Sequence, residues 1–373
     1  MKVIVITLMA YGAAGQYTAQ LTNALSEISE TTVIIPDYAN VQYFNKSIKL
    51  ITLPIPLGLA AAALKILNPF FLRSLMDKIA EVQADVIHVV VEYRFLFAYA
   101  FWLHFKYPIV VTVHDPMALP IRRSRIANVL VALIQYVNNR LLAKFADKVI
   151  VHGEKVRGCR LISTLPQRKV EIVSHGEFAF FAQSSEVVEL GVRNVLFFGR
   201  IVPYKGIEYL IQAGKLVAKQ IADVTITIAG GGDWTNYEKQ IEGDSHFIVH
   251  NRFIPDNEVA QLFQKASLVV LPYTYGSQSG VVSIAATFKK PVIVTDVGNF
   301  AEMVEHGKTG LVISPKDSDA LAEAMIRLLA DDKLRKQMGD NAYNLVKERF
   351  SWDAIAKRTL EVYEEAIKIR HAI

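Results

Sequence analysis

The chain opens with Lys2-Val3-Ile4-Val5-Ile6-Thr7, an unbroken apolar run that leads into the small-residue loop Tyr11-Gly12-Ala13-Ala14-Gly15. Such a run is typical of a central parallel strand that is covered on both faces and therefore has no polar side. A helix is expected to follow from Gln16 to about residue 29. This order of strand, glycine loop and helix predicts the first unit of a doubly wound α/β domain.

The same alternation continues to the end of the chain. Short apolar segments that predict strands recur at 32–35, 47–52, 86–91, 109–113, 148–151 and 170–173, and then at 195–198, 225–229, 247–249, 268–271, 291–295 and 311–313. A polar linker, Gln183-Ser184-Ser185-Glu186, separates the two series. We therefore predict two Rossmann-like domains, 1–185 and 186–350, that face each other across a cleft. A C-terminal helix in 351–373, with apolar residues at helical spacing, is expected to cross back to the first domain.

Composition narrows the class of protein. With 52% hydrophobic and 21% charged residues over 373 positions, the chain has the composition of a folded globular protein. Its single cysteine, Cys159, excludes an intramolecular disulfide and a thiolate zinc cluster and favours a reducing compartment. No apolar run reaches the roughly 18 residues of a membrane-spanning helix. The protein is expected to be cytoplasmic.

Two glycine-containing turns of the second domain follow strands and precede helices. The first contains Gly199-Arg200 and Lys205-Gly206, and its two cations and free backbone N–H groups are suited to a diphosphate. The alternative is a tight turn with solvated basic residues. The second turn contains Gln278-Ser279-Gly280-Val281, which offers amide, hydroxyl and N–H donors to an anion; the alternative there is an ordinary helix cap at Ser277 or Ser279.

Other polar residues follow strands of the predicted sheets. His114 and Asp115 stand at the end of a first-domain strand, where a histidine is suited to proton transfer or substrate contact; His88 and His175 rank below it. The run Gly230-Gly231-Gly232 lacks the remaining features of a dinucleotide fingerprint, which disfavours a dehydrogenase. Asp317 and Asp319 precede a helical pattern and are interpreted as helix caps rather than metal ligands.

Positive charge is concentrated in the first half of the chain, where residues 1–185 hold 19 Lys and Arg against 12 Asp and Glu. Between 118 and 169 the basic residues alternate with apolar ones, which predicts a surface for anionic lipid, with solvated helix faces as the alternative. The aromatic residues of 95–107 have little positive charge among them, so they predict a buried helix rather than a nucleic-acid surface.

Taken in order, these motifs resemble the retaining, family-4 type nucleotide-sugar glycosyltransferases with the two-domain GT-B fold. The resemblance covers nearly the whole chain, from Gly12 to Gly15 through Thr112-Val113-His114-Asp115 and Gly199-Arg200 to Phe350-Ser351-Trp352. It implies that Arg200 and Lys205 neutralise the donor diphosphate, and that His114 lies near the donor sugar. It also implies donor contacts at Gly12, Gly15, Gly199, Ile254 and Glu302.

The chain departs from the family in one stretch. The family has two glutamates with seven residues between them, which contact the donor sugar and the ribose respectively, and Gly276 and Ile284 occupy those positions here. Neutral hydrogen bonds from Gln278 and Ser279, with the N–H groups of Gly280 and Val281 on phosphate, are expected to replace them.

The resemblance implies a metal-independent hexosyltransferase that needs no cofactor beyond a UDP-sugar or GDP-sugar donor. The acceptor would be a glycan or a lipid-linked molecule, as in polysaccharide biosynthesis, and the enzyme would dock at the inner membrane face. Two alternatives stay open: a catalytically inactive sugar-nucleotide-binding scaffold that pairs with another transferase, and an epimerase of the same two-domain fold.

Overall fold

The two predicted series of strands form two separate parallel sheets in the computed structural model of the chain. The structure describes residues 1–8, 12–56, 59–90, 102–114, 125–177, 193–276 and 279–372. These residues form two compact units. The N-terminal unit contains the described residues up to Gly176 together with Phe350 and beyond, and the C-terminal unit contains those from Glu177 to Arg349. The predicted linker 183–186 lies outside the described residues.

The sheet of the N-terminal unit has seven strands in the order β3-β2-β1-β4-β5-β6-β7. Its strands are β1 (Lys2–Ile6), β2 (Glu30–Pro36), β3 (Lys49–Leu53), β4 (Val86–Val89), β5 (Ile109–Thr112), β6 (Lys148–Val151) and β7 (Val170–Ile172). The central strand β1 lies between β2 and β4, with Val3 opposite Thr31 on one side and Val86 on the other. Because β1 has neighbours on both edges and helices on both faces, its whole apolar run is buried.

Helices cover this sheet. They are α1 (Gly12–Ser26), α2 (Leu59–Ile66), α3 (Pro69–Val82), α4 (Arg125–Phe145), α5 (Glu154–Arg157) and α6 (Arg160–Ser163). Two hydrophobic clusters lie on the unit's opposite faces, one against α3 and α4 and the other against α1. The first helix begins at Gly12, four residues before the predicted start, so Gly12 and Gly15 belong to its first turn and not to a loop.

The C-terminal unit repeats the architecture with six strands in the order β10-β9-β8-β11-β12-β13. The strands are β8 (Asn194–Phe198), β9 (Thr225–Ala229), β10 (Phe247–His250), β11 (Leu268–Leu271), β12 (Val292–Thr295) and β13 (Gly310–Ile313). The helices are α7 (Ile207–Ala218), α8 (Glu238–Ile241), α9 (Asp256–Lys265), α10 (Gly280–Thr287), α11 (Phe300–Met303), α12 (Ser318–Ala330) and α13 (Asp332–Arg349). The strand order reverses direction between β8 and β11, which is where open α/β sheets bind ligands.

The last helix, α14 (Trp352–His371), packs on the N-terminal unit, as predicted. The hydroxyl of Tyr363 lies 2.7 Å from Nδ1 of His88 in the middle of β4. Lys148 of β6 forms ion pairs with Glu171 of β7 and with Glu365 of α14. The fold prediction of two Rossmann-like domains and a returning C-terminal helix is therefore confirmed.

Two further predictions, one of buried aromatic residues and one of a helix cap, have opposite outcomes. Trp102 and Phe105 are 55% and 65% exposed, so the prediction of a buried aromatic helix is wrong for these two residues, while 91–101 lie outside the described residues. Asp317 caps α12 as predicted, because its carboxylate accepts a hydrogen bond from the Ala320 N–H at 2.9 Å. Among the helices that the structure describes, none is long and apolar enough to cross a membrane.

Candidate functional site

The turn after β8 carries the two predicted cations. It runs through Gly199, Arg200 and a single 3-10 turn, Pro203–Lys205, to Gly206, where α7 begins. Gly206 has a φ of +68°, and a Cβ atom there would lie 2.0 Å from the carbonyl oxygen of Pro272. Only glycine allows this contact, so the turn after β8 lies directly against the chain that leaves β11.

Lys205 is buried even though it is charged. It is 9% exposed, and its Nζ lies 3.6 Å from the centre of the Tyr273 ring and 5.4 Å from that of Tyr204. An ammonium over an aromatic face is held by the ring quadrupole, and more strongly where water is scarce. Arg200, by contrast, is exposed. The turn thus offers one cation in a fixed position and one that is open to solvent.

Tyr273 connects this turn to the one after β11. Its hydroxyl lies 3.2 Å from Oγ of Ser279, and burial raises the pKa of the phenol, against the opposing effects of the Ser279 hydrogen bond and the Arg200 charge. The phenol is therefore neutral at physiological pH and acts as a hydrogen-bonding group. Its ring also packs against Phe300 of α11, with centroids 5.1 Å apart.

Ser279 occupies the N-cap of α10, which was the alternative interpretation of this turn. Its Oγ accepts a hydrogen bond from the Val281 N–H at 3.4 Å. The Val281 side chain is buried in the hydrophobic core, and Gly280 is half-buried. Ser277 and Gln278 lie outside the described residues. Capping by Ser279 is observed, and contacts from this turn to a donor stay a prediction.

The remaining predicted donor contacts in this unit have different surroundings. The side chain of Ile254 belongs to the hydrophobic core. Glu302 is exposed in the first turn of α11, after β12. Gly199 has a φ of +139°, and a Cβ there would stand 3.9 Å from Lys205 Nζ. Of the predicted donor contacts that the structure describes, Gly199, Arg200, Lys205 and Ser279 are therefore brought together around Tyr273.

Asn299 is a polar residue that the sequence analysis missed. It is 1% exposed, and both polar atoms of its side chain are buried with no hydrogen-bond partner in the described structure. It stands at the N-cap of α11, yet its side chain does not cap that helix. A signal was present, because Asn299 directly follows Val297-Gly298 after a predicted strand, and polar residues at that position often face a ligand.

In the N-terminal unit, His114 follows β5 and has protein partners for both ring nitrogens. Its Nε2 lies 2.9 Å from the carbonyl oxygen of Val90, and its Nδ1 lies 2.9 Å from Nε2 of His152. His152 follows β6, and its Nδ1 lies 2.8 Å from the carbonyl oxygen of Val173. The predicted site histidine is therefore one member of a hydrogen-bonded row. Asp115 lies outside the described residues.

The two rings belong to an aromatic cluster around the buried Tyr17 of α1, in which His152 is buried and His114 is half-buried. Tyr17 has its centroid 4.7 Å from that of His114, 5.6 Å from His152, 4.7 Å from His175 and 5.4 Å from Trp352. Burial lowers the pKa of His114 to about 3 and that of His175 to about 4. The cluster stands at the carboxyl ends of β5, β6 and β7, beside the start of α14.

His88 has a structural role. Its Nε2 lies 2.8 Å from Oγ1 of Thr112 on β5, and its Nδ1 bonds to Tyr363 on α14. Burial lowers its pKa to about 3. The Nδ1 contact fastens α14 to the sheet, and the Nε2 contact joins β4 to β5. Across the described ranges, no three His, Cys, Asp or Glu side chains are grouped so as to hold a metal ion.

Comparison with known protein families agrees with this architecture. Residues 14–183 match the model described as Glycosyltransferase Family 4, and residues 185–345 match the model described as Glycosyl transferases group 1. Each model covers one of the two predicted Rossmann-like domains. The chain belongs to the glycosyltransferases of the GT-B fold.

Individual relatives share part of the sequence. The chain is 32% identical over 57% of its length to an uncharacterized glycosyltransferase of Methanocaldococcus jannaschii, and the match covers 57% of that protein. It is 31% identical over 46% of its length to an alpha-D-kanosaminyltransferase of Streptomyces kanamyceticus, covering 45% of that protein. The matched region thus spans about half the length of these two curated relatives.

Solved structures share the fold across nearly the whole chain. Sucrose-phosphate synthase from Thermosynechococcus elongatus superposes with a TM-score of 0.78 at 20% identity, over 98% of this chain and 99% of that one. The Anabaena protein Alr3699/HepE, in a complex with UDP and glucose, gives a TM-score of 0.73 at 19% identity over 98% and 99%. At these identities the likeness establishes the fold alone.

Proposed function

We propose that the protein transfers a hexose from a nucleoside diphosphate sugar to a glycan or lipid-linked acceptor with retention of anomeric configuration. The observation that carries the proposal is the position of Lys205. Its buried ammonium lies over the Tyr273 ring, in the same turn as exposed Arg200, at the point where the strand order reverses between β8 and β11. Two cations there match the charge of a diphosphate, and a ligand is expected at such a switch point.

The chemistry follows from the charge of the leaving group. When the bond between the anomeric carbon and the phosphate oxygen breaks, negative charge grows on the diphosphate. Fixed cations lower the activation barrier when they interact more strongly with this growing charge in the transition state than with the intact donor. Lys205 is held in place by Tyr273 and so needs no reorganisation at that moment. The two side chains supply the neutralisation that a divalent metal provides elsewhere, so the proposed reaction is metal-independent.

We assign acceptor binding to the N-terminal unit. We also assign to His114 a contact with the transferred sugar. The donor is a UDP-sugar or GDP-sugar, in keeping with the family resemblance and with the UDP bound in the Anabaena structure. We assign the reaction to the cytoplasm.

A thermal-shift panel with UDP, GDP and ADP, run with and without EDTA, tests donor binding. A ligand at a hundredfold excess over its Kd stabilises the native state by about 2.7 kcal/mol. We expect the nucleotide with one of the three bases to raise Tm by the same amount with and without EDTA. Arg200→Ala should remove this shift. Arg327→Ala, at an exposed position of α12, is the matched control and should keep it. No shift with any nucleotide would overturn the proposal.

Retention is tested separately, with the donor sugar that gives turnover. Proton NMR of the first product formed should show the same anomeric configuration as the donor. Appearance of the opposite anomer before any equilibration would rule out the retaining mechanism while leaving sugar transfer intact.

A second candidate is a sugar-nucleotide-binding scaffold without activity of its own. The observation that favours it is the pair Gly276 and Ile284, which stand where the family has two glutamates. Gly276 has a φ of +146°, and Ile284 is buried in the hydrophobic core, so neither position offers a carboxylate to a donor. Under this candidate, the protein binds nucleotide without turnover, and Arg200→Ala leaves its partner-dependent function unchanged.

We further propose that α4 docks the enzyme on anionic membranes. Val129, Leu133 and Val137 recur every four residues along α4 and are 68%, 58% and 44% exposed. Arg140 and Lys144 are exposed on the same helix. An apolar stripe with adjoining basic residues is the pattern of an interfacial helix.

Vesicle co-sedimentation tests this docking. The wild type should bind phosphatidylglycerol vesicles at low salt, should bind phosphatidylcholine vesicles less, and should be released as salt rises. Leu133→Gln should weaken binding, whereas Ile248→Gln, an exposed apolar residue of the C-terminal unit, should not. Equal binding by the wild type and Leu133→Gln would exclude α4 as the docking surface.

A further inference from the structure

Two buried hydroxyls of the C-terminal unit have one hydrogen more than their partners accept. Tyr273 Oη lies 3.2 Å from Ser279 Oγ, and the two residues are 1% and 8% exposed. Each hydroxyl has one hydrogen, and the contact between them uses only one of the two. Among the described residues, the one further partner of the pair is the Val281 N–H, which donates to Ser279 Oγ. The second hydrogen therefore lacks an acceptor there, which is costly in a buried place.

The backbone of Gly199 leaves a small open space beside this pair. Gly199 has a φ of +139° and no side chain. If it had a Cβ atom, the nearest described atoms beyond its chain neighbours would be Lys205 Nζ at 3.9 Å and the Tyr273 hydroxyl at 4.0 Å. These are ordinary contact distances. The space can therefore hold a ligand atom between an ammonium and a hydroxyl.

The position of this space indicates which hydroxyl has the spare hydrogen. Ser279 accepts from the Val281 N–H in the first turn of α10 and can donate to Tyr273, whose own hydrogen is then available at the space beside Gly199. Each hydrogen bond in such a chain polarises the next one. In the opposite order the spare hydrogen would belong to Ser279, which does not border the space.

The charges around the space favour an anion. The Lys205 ammonium lies over the Tyr273 ring, 3.6 Å from its centre. Burial raises the pKa of the Tyr273 phenol, and this effect exceeds the lowering by the Ser279 hydrogen bond and the Arg200 charge. The phenol thus keeps its hydrogen at neutral pH. An anionic oxygen in the space would accept hydrogen bonds from both the ammonium and the phenol.

We propose that Tyr273 is a donor-binding residue, and that its hydroxyl donates a hydrogen bond to the same diphosphate oxygen that the Lys205 ammonium holds. The inference rests on the proposed function, which brings the diphosphate of a sugar nucleotide to this turn. Negative charge grows on the diphosphate as the sugar leaves, so the hydrogen bond is stronger in the transition state than in the intact donor. Tyr273 therefore contributes to turnover as well as to binding.

Tyr273→Phe tests the contact, because it removes the hydroxyl and keeps the ring under the Lys205 ammonium. UDP, GDP and ADP are titrated calorimetrically into the full chain. For the nucleotide that binds, the variant should raise Kd by about 10-fold to 100-fold, the usual effect of losing a hydrogen bond to a charged group. With the matching sugar nucleotide, kcat/KM should fall by at least as much. The Tm of the free variant should not fall by more than a few degrees.

Two further variants separate a contact with the diphosphate from a general loosening of the unit. Tyr237→Phe is the matched control, because Tyr237 is also buried and its hydroxyl bonds to the Glu208 side chain. It should keep the wild-type Kd. The double variant of Tyr273→Phe with Lys205→Met tests the shared oxygen. The two separate factors in Kd should not multiply, because groups with a common partner are not additive.

Gly199→Ala gives an independent measurement and replaces Tyr273→Phe if that variant does not fold. Its methyl group would occupy the space between Lys205 Nζ and the Tyr273 hydroxyl and should raise Kd. Gly243→Ala is the control for a positive φ, since no atom lies within 4 Å of its new Cβ, and it should bind nucleotide as the wild type does.

The possible failures are distinguishable. An unchanged Kd in Tyr273→Phe or in Gly199→Ala overturns this inference and leaves the proposed function standing. An equal loss in Tyr237→Phe also overturns it, as do factors that multiply in the double variant. A wild type that binds none of the three nucleotides overturns the proposed function and this inference with it.

Discussion

The ammonium nitrogen of Lys205 lies 3.6 Å from the centre of the Tyr273 ring, so a tyrosine after β11 holds a lysine after β8 in place. The same tyrosine bonds to Ser279 through its hydroxyl and packs against Phe300 after β12. One buried side chain thus connects the turns that follow three neighbouring strands. This gives Lys205 a fixed position that neither its turn nor its charge would provide alone.

Lys205→Met is expected to lower kcat/KM by about 10²–10³, the usual cost of removing one preorganised group that stabilises the charge of a transition state. Methionine keeps the volume and the contact with the Tyr273 ring, so the fold should persist. Lys215→Met, at an exposed lysine of α7, is the control and should leave kinetics unchanged. Steady-state kinetics with the donor identified by thermal shift provide the measurement. Unchanged turnover in Lys205→Met would remove this residue from the mechanism.

Gly206→Ala is expected to destabilise the C-terminal unit strongly. The new Cβ would lie 2.0 Å from the carbonyl oxygen of Pro272, and the φ of +68° is itself unfavourable for alanine. Gly243→Ala is the matched control, because Gly243 has a φ of +74° but no atom within 4 Å of the new Cβ. The control should cost about 1–2 kcal/mol, the strain of the left-handed conformation alone. Chemical denaturation of both variants measures the difference. Equal losses would contradict the close approach of the two turns.

The ion pair between Lys148 and Glu365 predicts a pH dependence of stability. The hydrogen bond from Lys148 holds the pKa of Glu365 below its usual range. The stability that this gives is present above the carboxyl's unfolded pKa of about 4.3 and is lost as pH falls further, through the folded pKa.

Glu365→Gln should therefore lower stability at pH 7 and flatten its decline between about pH 5 and pH 3. Glu364→Gln, at the exposed neighbouring position, serves as the control and should follow the wild-type curve. Urea denaturation at a series of pH values is the measurement. A wild-type slope in Glu365→Gln would show that the ion pair does not contribute to acid sensitivity.

Asn299→Leu is expected to raise the stability of the free protein. The leucine has nearly the same shape, and it removes two buried polar atoms that lack partners, each of which costs about 1–3 kcal/mol. Asn251→Leu is the contrasting control, because Asn251 accepts a hydrogen bond from the Gly232 N–H at 3.0 Å and its loss should destabilise. Thermal unfolding of both variants decides the matter. A lower Tm for Asn299→Leu would mean that ordered water satisfies the amide.

Much of the fold was predictable from local pattern. The observed strands lie within a few residues of the predicted ones, because strands buried on both faces appear as short unbroken apolar runs. The start of α1 was placed too late, since small residues such as Gly12 and Gly15 are compatible with either a loop or a helix turn. Exposure of Trp102 and Phe105 was not predicted, because composition alone does not say which aromatic side chains face the core.

Periodicity and residues close together in the chain were enough to predict the alternation of strands and helices, the two Rossmann-like domains and the candidate cations Arg200 and Lys205. Which distant groups meet depends on tertiary folding. The ammonium of Lys205 lies over the ring of Tyr273. His114 hydrogen-bonds to His152, which is 38 residues further along the chain. Parallel strands joined by helical crossovers bring their carboxyl ends to one edge of a sheet, so residues far apart in sequence become neighbours there.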